Sequence, residues 1–170
     1  MIEVANGLSI GNEQSFRGLE RTMLGDTWAS WSVVHACKEP FHRQAVGYTE
    51  RAAPKGHHEY LYAHRGHRLM LNLVDAPDPA YIPMAVIDTA LAFIEDAHIN
   101  NRRVLVHCNQ GESRGPTIGL LYLAPWFPPS FAEAEDKYRI VYPTYNPGKG
   151  MRGFAALHWM RYHQRHARAA

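Results

Sequence analysis

The stretch that decides the fold is Arg103-Val104-Leu105-Val106-His107-Cys108-Asn109-Gln110-Gly111-Glu112-Ser113-Arg114-Gly115-Pro116, together with the apolar run at 118–123 that follows it. Its first five residues have the continuous apolar character of a strand buried in the middle of a sheet. Residues 118–123 read as a helix buried nearly all round. Between them lies a short polar loop with a cysteine at its mouth and an arginine where the helix begins. A loop wrapped at a helix N-terminus aims successive backbone N–H groups at one point, and the helix dipole adds positive potential there, so the loop suits an anion and a phosphate in particular. Gly111 supplies the freedom to turn. The same field favours a thiolate over a thiol, which makes Cys108 the expected nucleophile. Arg114 can present two parallel N–H donors to phosphate oxygens and follow them as charge spreads in the transition state, a planar fork that lysine lacks. Taken singly, a cysteine is more often a buried core thiol and an arginine a solvated charge. Together, between a buried strand and a proline-containing helix start, they read as a phosphate-binding loop.

Working outward, apolar runs alternate with helical stretches, which argues for an α/β fold. Ile2-Glu3-Val4-Ala5-Asn6-Gly7-Leu8-Ser9-Ile10-Gly11 predicts strand, Asn-Gly turn and strand. Trp31-Ser32-Val33-Val34-His35-Ala36-Cys37 predicts a strand closed off by Pro40, and residues 69–74 predict another. A helix starting near Pro83 places Met84, Ile87, Leu91 and Ile94 on one face. Ser130 and Glu133 have capping-box spacing at the head of a helix reaching about Val141, and a turn-rich stretch at 143–150 precedes a final helix. Asn146, within that stretch, reads as a turn-former in preference to a pocket residue.

Composition narrows the function. The 170 residues are 46% hydrophobic, enough for one sizeable core, so residues 1–170 are expected to form a single domain. A net charge of +2 is too small for a nucleic-acid coat protein, while a pI of 8.6 leaves the surface mildly attractive to anions. The first residues carry no leading basic cluster, and nowhere do eighteen apolar residues run together, so no membrane association is expected. Cys37 and Cys108 lie far apart without CxxC pairing, which argues against a disulfide scaffold or thiolate zinc site and for a reducing, cytoplasmic setting. The span 42–68 is polar, with Arg43, Arg51, Lys55, Arg65 and Arg68 set among histidines. It reads as a long excursion or a partly helical insert, with a solvated loop preferred over a basic rim that steers phosphorylated partners. His57, His58, His64 and His67 lack carboxylate or thiolate ligands at regular spacing, so neither a metal nor a cofactor is expected. The basic tail from Arg161 to Arg168 reads as a helix end with charges that complement the dipole.

Val106-His107-Cys108 through Arg114 resembles the HC-x5-R signature of the protein tyrosine phosphatase superfamily, in its small dual-specificity branch. Gly7-Leu8-Ser9-Ile10-Gly11-Asn12 is similar to that branch's opening hairpin, and Leu71-Asn72-Leu73-Val74-Asp75 to the strand that delivers its acid. The resemblance implies a central mixed, mostly parallel sheet flanked by helices, and hydrolysis of phosphate monoesters through a phosphocysteine. It further implies that His107 braces the loop by hydrogen bonding, that the backbone of Asn109, Gln110, Gly111, Glu112, Ser113 and Arg114 binds phosphate, and that Ser113 has no chemistry of its own.

The leaving oxygen needs a proton, so an acid must reach across the pocket. Asp75 and Asp78 are the candidates; Asp75 directly follows the predicted strand and matches the family's acid position, whereas Asp78 lies between prolines and reads as a turn residue. Asp75 is favoured, and would afterwards take a proton from the attacking water. The chain departs from the family at Gly115, where a serine or threonine hydroxyl usually stabilises the departing cysteine, so slow breakdown of the intermediate is expected unless Thr117 substitutes. Glu112 disfavours polyanionic inositol phosphates, unless its side chain turns outward. Cys37 either is an inert buried thiol, the preferred reading, or traps an oxidised Cys108 as a reversible disulfide. The substrate expected is a phosphorylated protein or peptide. Two other readings stay open: an RNA 5′-phosphatase, which would need stacking aromatics such as Tyr60 and Tyr62 beside the basic rim, and a phosphate-binding module with little turnover.

Overall fold

The computed structural model describes residues 1–22 and 25–165. The elements, in chain order, are β1 (Ile2–Ala5), β2 (Leu8–Gly11), α1 (Glu13–Thr22), β3 (Trp31–His35), α2 (Arg43–Val46), β4 (Tyr62–Arg65), β5 (Arg68–Leu71), α3 (Met84–Ile99), β6 (Arg103–His107), α4 (Arg114–Leu123), α5 (Phe131–Val141) and α6 (Lys149–His163). Among the described residues the strands form one sheet in the order β1-β2-β6-β3-β5-β4. The four inner strands run parallel, and the outer hairpins add β1 and β4 antiparallel at the two edges. The sheet is therefore mixed and mostly parallel, as expected.

β6 is central because it is apolar on both faces. Val104, Leu105 and Val106 are fully buried between β2 and β3. Strand alternation then sorts the two faces. Ile10, Val106 and Val34 sit opposite one another across β2, β6 and β3 and share one face; Gly119 of α4 packs against Ile10 so closely that an added Cβ would lie 2.7 Å from its Cδ1. His107 and His35, also paired across the strands, share the other face and meet Phe16 of α1. Every residue of α4 from Gly115 to Leu123 is buried, in accord with its reading as a helix apolar all round. Ile87, Leu91 and Ile94 of α3 are buried along the predicted stripe, with Met84 half-buried at its start. α5 begins at the predicted cap, where Ser130 Oγ accepts from the Glu133 N–H at 3.5 Å.

The structure corrects two strand boundaries and adds a strand to the 42–68 span. β3 ends at His35, which leaves Cys37 just beyond the strand. β5 ends at Leu71, so Asn72, Leu73 and Val74 separate it from Asp75, which does not follow the strand directly. The span 42–68 is no plain excursion: it contributes α2 and the edge strand β4, whose hairpin to β5 turns at Gly66 with φ of 57°. In β4 Ala63 is buried and Tyr62, His64 and Arg65 are exposed, as at the edge of a sheet. Residues 166–168 of the basic tail lie outside the described residues; Arg161 ends near Asp88, which it contacts at 2.7 Å.

Candidate active site

The loop between β6 and α4 is shaped by what its carbonyls bond. Asn109 O accepts from Glu13 N–H at 3.2 Å, Gly111 O from Tyr142 Oη at 2.8 Å, Glu112 O from Asn146 N–H at 2.9 Å, and Ser113 O from Thr117 N–H at 2.9 Å. All four carbonyls are thereby drawn outward. In a planar trans peptide the C=O and the next N–H point to opposite sides. The N–H groups of Gln110, Glu112, Ser113 and Arg114 accordingly turn to the concave side, at the head of a ten-residue helix. Gly111 sits at φ of 79°, and a Cβ there would come within 3.0 Å of the Gly11 backbone, so both its conformation and its packing require glycine.

Cys108, 2% exposed, lies at the mouth of this loop. Arg114 holds itself beside it by donating from Nη2 to Asn109 Oδ1 at 2.9 Å and from Nη1 to Leu73 O at 3.3 Å, while its Nε is buried without a hydrogen-bond partner among the described residues. Asn109 is fixed in turn by Nδ2, which donates to Glu39 O at 2.9 Å. The outcome is a half-buried guanidinium with donor capacity to spare.

Asp75 is exposed, and its Oδ1 accepts from Ser113 Oγ at 3.0 Å. That hydroxyl accepts in turn from Gly148 N–H at 2.9 Å, at the N-cap of α6. Ser113 is therefore the clamp that ties the candidate acid to the loop, a role the family resemblance did not assign. Gly148 leaves the space the carboxylate occupies, since a Cβ there would lie 2.5 Å from Asp75 Oδ1. Asp78 instead caps a short turn, its Oδ1 accepting from Ala80 N–H at 2.8 Å, which matches its reading as a turn residue.

Thr117, the candidate substitute for the hydroxyl missing at Gly115, is buried in α4. Its Oγ1 donates to Ser113 O at 2.8 Å, which commits its only proton to the helix backbone. Gly115 packs closely on the nucleophile's backbone: a Cβ there would lie 3.2 Å from both Cys108 N and His107 C. Glu112 is exposed, so its charge is turned to solvent. Asn146 meets the loop through its backbone N–H to Glu112 O, consistent with its role in a turn.

Beneath the loop, His107 Nδ1 lies 3.3 Å from Cys108 O and its Nε2 2.6 Å from His35 Nδ1, while Arg68 Nε donates to His35 Nε2 at 3.0 Å. Burial pushes His107 down to about 4, and His35 well below the usual histidine range, so both rings are neutral at neutral pH. Sequence reasoning missed His35 and Arg68; the signal available was a histidine within the otherwise apolar strand 31–37. Cys37 is fully buried, and burial pushes its thiol up to about 12.

No protein-family model and no curated protein matches the chain. Solved structures do. DUSP15 superposes with a TM-score of 0.66 at 19% identity, covering 99% of this chain and 93% of that one. Human DUSP28 gives 0.60 at 18% identity, with both chains covered in full at 100%. The chain has the dual-specificity phosphatase fold. PTPMT1 in complex with PI(5)P also shares it, with a TM-score of 0.57, 16% identity, and coverage of 99% of this chain and 97% of that one. Within the dual-specificity phosphatase fold described here, the β6–α4 loop brings together Cys108, Arg114 and, through Ser113, Asp75. Cys37 is placed by the Ala36 N–H, which donates to His107 O at 2.7 Å, so the segment that ends in Cys37 runs beside the one that ends in Cys108.

Two of the basic residues at 42–68, Arg43 and Arg65, are paired with carboxylates. Arg43 pairs with Glu39 at 2.7 Å, Arg65 pairs with Glu59, and Lys38 donates to Arg51 O. His57 and His58 stack on each other with ring centroids 4.5 Å apart, and His64 packs edge-on against Phe93 at 5.3 Å. Among the described residues no helix is long and apolar enough to cross a membrane.

Proposed function

We propose that the protein is a phosphatase that hydrolyses phosphate monoesters through a phosphocysteine. The observation that carries this reading is the loop itself: four outward-bonded carbonyls, inward N–H groups and an Arg114 Nε with no hydrogen-bond partner among the described residues surround a cysteine at a helix N-terminus. Cys108 attacks the phosphorus as a thiolate. The loop N–H groups and the Arg114 guanidinium bind the equatorial oxygens more strongly as charge develops on them. Asp75, held at the loop by Ser113, protonates the leaving oxygen and then deprotonates the water that cleaves the S–P bond. A reducing, cytoplasmic setting fits a free nucleophilic thiol.

Phosphorylated proteins or peptides are the favoured substrates. The outward position of Glu112 removes its repulsion as an argument against inositol phosphates, and PTPMT1 is described in complex with PI(5)P. Yet the loop carries no lysine for a polyphosphorylated ring, and Arg43 and Arg65 are already paired with carboxylates. Of the stacking candidates for the RNA reading, Tyr60 is half-buried and Tyr62 is exposed. Phosphate release should be measured from matched phosphotyrosine, phosphothreonine, 5′-triphosphate RNA and phosphoinositide substrates, with Cys108→Ser and Asp75→Asn as controls. Release from phosphopeptides that Cys108→Ser abolishes supports the reading. Vanadate binding without release from any substrate would instead identify a phosphate-binding module.

A further inference from the structure

The loop residues account for where phosphate would sit, but not for the row of polar side chains buried beneath it. Sheet register creates that row. His35 pairs with His107 across β3 and β6 and with Met70 across β3 and β5, and Arg68, two residues before Met70, turns to the same face. Phe16 stacks on His107 at 5.2 Å with the ring planes 4° apart, and Phe41 stacks on His35 at 4.2 Å, so neither imidazole is free to turn over. The Arg68 guanidinium lies over Phe16, 5.0 Å from the ring centroid, and lines an open cavity of 230 Å³ with Arg65 and Gln44.

The hydrogen bonds in this row run in one direction only. Arginine has donors and no acceptor, so the His35 Nε2 that Arg68 Nε faces must present its lone pair. A neutral imidazole carries one proton, which in His35 is then on Nδ1, directed at His107 Nε2. That nitrogen must be the acceptor, which leaves the His107 proton on Nδ1, facing Cys108 O. Both rings are neutral because burial and the cations around them, Arg68 and Arg17 for both and Arg114 for His107, oppose protonation.

We propose that His35 and Arg68 are positioning residues: together they hold His107 in the one tautomer that can anchor the Cys108 peptide, and so fix the nucleophile at the mouth of the loop. The proposal rests on the phosphatase reading for its kinetic consequence but not for its structural one. A merely space-filling pair would satisfy its own polar atoms without dictating where the His107 proton resides.

The test is ¹⁵N NMR of the histidine ring nitrogens in the full chain at neutral pH, for the parent, Arg68→Met, His35→Phe and His35→Gln, alongside steady-state kinetics. In the parent, His35 and His107 should both carry the proton on Nδ1, and in Arg68→Met and His35→Phe the His107 proton should distribute over both nitrogens. The two variants should lose about tenfold in kcat, the equivalent of one hydrogen bond, with KM little changed because the loop donors and Arg114 are untouched. His35→Gln, whose amide offers an acceptor and a donor in the same sense, should keep the tautomer and most of the rate. A parent with the His107 proton on Nε2, or folded Arg68→Met and His35→Phe proteins with an unchanged tautomer and kcat, overturns the proposal. If the parent releases no phosphate from any ester, the phosphatase reading fails, and the tautomers still decide whether Arg68 and His35 set the state of His107.

Discussion

Ser113 Oγ donates to Asp75 Oδ1 at 3.0 Å while accepting from Gly148 N–H at 2.9 Å, so one hydroxyl joins the β6–α4 loop, the segment after β5 and the head of α6. The consequence is positional. Asp75 lies beyond the end of its strand and is exposed, and a carboxylate so placed would otherwise swing among rotamers. The clamp ties its Oδ1 to the residue directly before Arg114.

Replacing Ser113 with Ala should therefore damage proton transfer to the leaving group more than phosphate binding. We expect kcat to fall about tenfold, one hydrogen bond's worth, for alkyl phosphates, whose alkoxide must be protonated as it leaves. Aryl phosphates with acidic phenols should suffer less. Asp75→Asn should show the same leaving-group dependence with a larger loss, on the order of 10²–10⁴-fold for a general acid. A Ser113→Ala loss that is uniform across leaving groups would show that the clamp serves the loop and not the acid.

At Gly115 the absence of a hydroxyl and the closeness of the Cys108 backbone act together. A side chain there meets Cys108 N and His107 C at 3.2 Å, and backbone yields less readily than a flexible side chain. Gly115→Ala and Gly115→Ser should each lose roughly 1–3 kcal/mol of stability in denaturant titration, the range for overpacking. The two carry the same Cβ, so their difference isolates the hydroxyl. Ser should release phosphate from the trapped intermediate faster than Ala in a burst experiment, and equal rates would make the missing hydroxyl irrelevant.

How much of this was legible in the sequence follows from which forces are local. The buried strand 103–107, the loop and the apolar helix after it are encoded by contiguous residue types, and the structure reproduces them with β6 and α4. The edge strand β4 was hidden because its exposed positions are polar and only Ala63 turns inward, a weaker signal than a fully buried run. The relay of Arg68, His35 and His107 was invisible for another reason. Its members come from three strands, and only the register of β5, β3 and β6 brings them to one face. Ser113 was likewise unreadable, since its partners lie 38 and 35 residues away along the chain.

Cys37 lies beside the nucleophile's segment, but its thiol is fully buried and pushed up to about 12 by that burial. Thiol–disulfide chemistry proceeds through the thiolate. A Cys37–Cys108 disulfide should thus form slowly, and further oxidation of Cys108 to the sulfinic acid should compete with it. Peptide mass mapping after brief peroxide exposure at neutral pH should find oxidised Cys108 with little cross-link, and Cys37→Ser should inactivate at the parent's rate. Rapid, quantitative cross-linking, with faster irreversible loss in Cys37→Ser, would show instead that Cys37 protects the nucleophile.

The two neutral histidines under the loop give stability a defined dependence on pH. In the unfolded chain each protonates near 6.5, whereas in the fold His107 protonates only near 4 and burial holds His35 well below the usual histidine range. Between those limits the unfolded state binds more protons, so stability falls as the pH falls. The shift at His107 alone corresponds to roughly 3 kcal/mol lost by pH 4. The depressed carboxylates Glu39 and Glu59, held down by Arg43 and Arg65, begin to contribute only near their ordinary value of 4.5. The window between about 4.5 and 6.5 therefore belongs to histidines, chiefly these two, with a smaller share from His42, which burial also lowers. Urea midpoints measured between pH 7.5 and 4.5 should decline most steeply below 6.5, and His35→Gln should flatten the slope by removing one titrating ring. An identical slope in that variant would mean that His35 is not the neutral, buried group its surroundings make it.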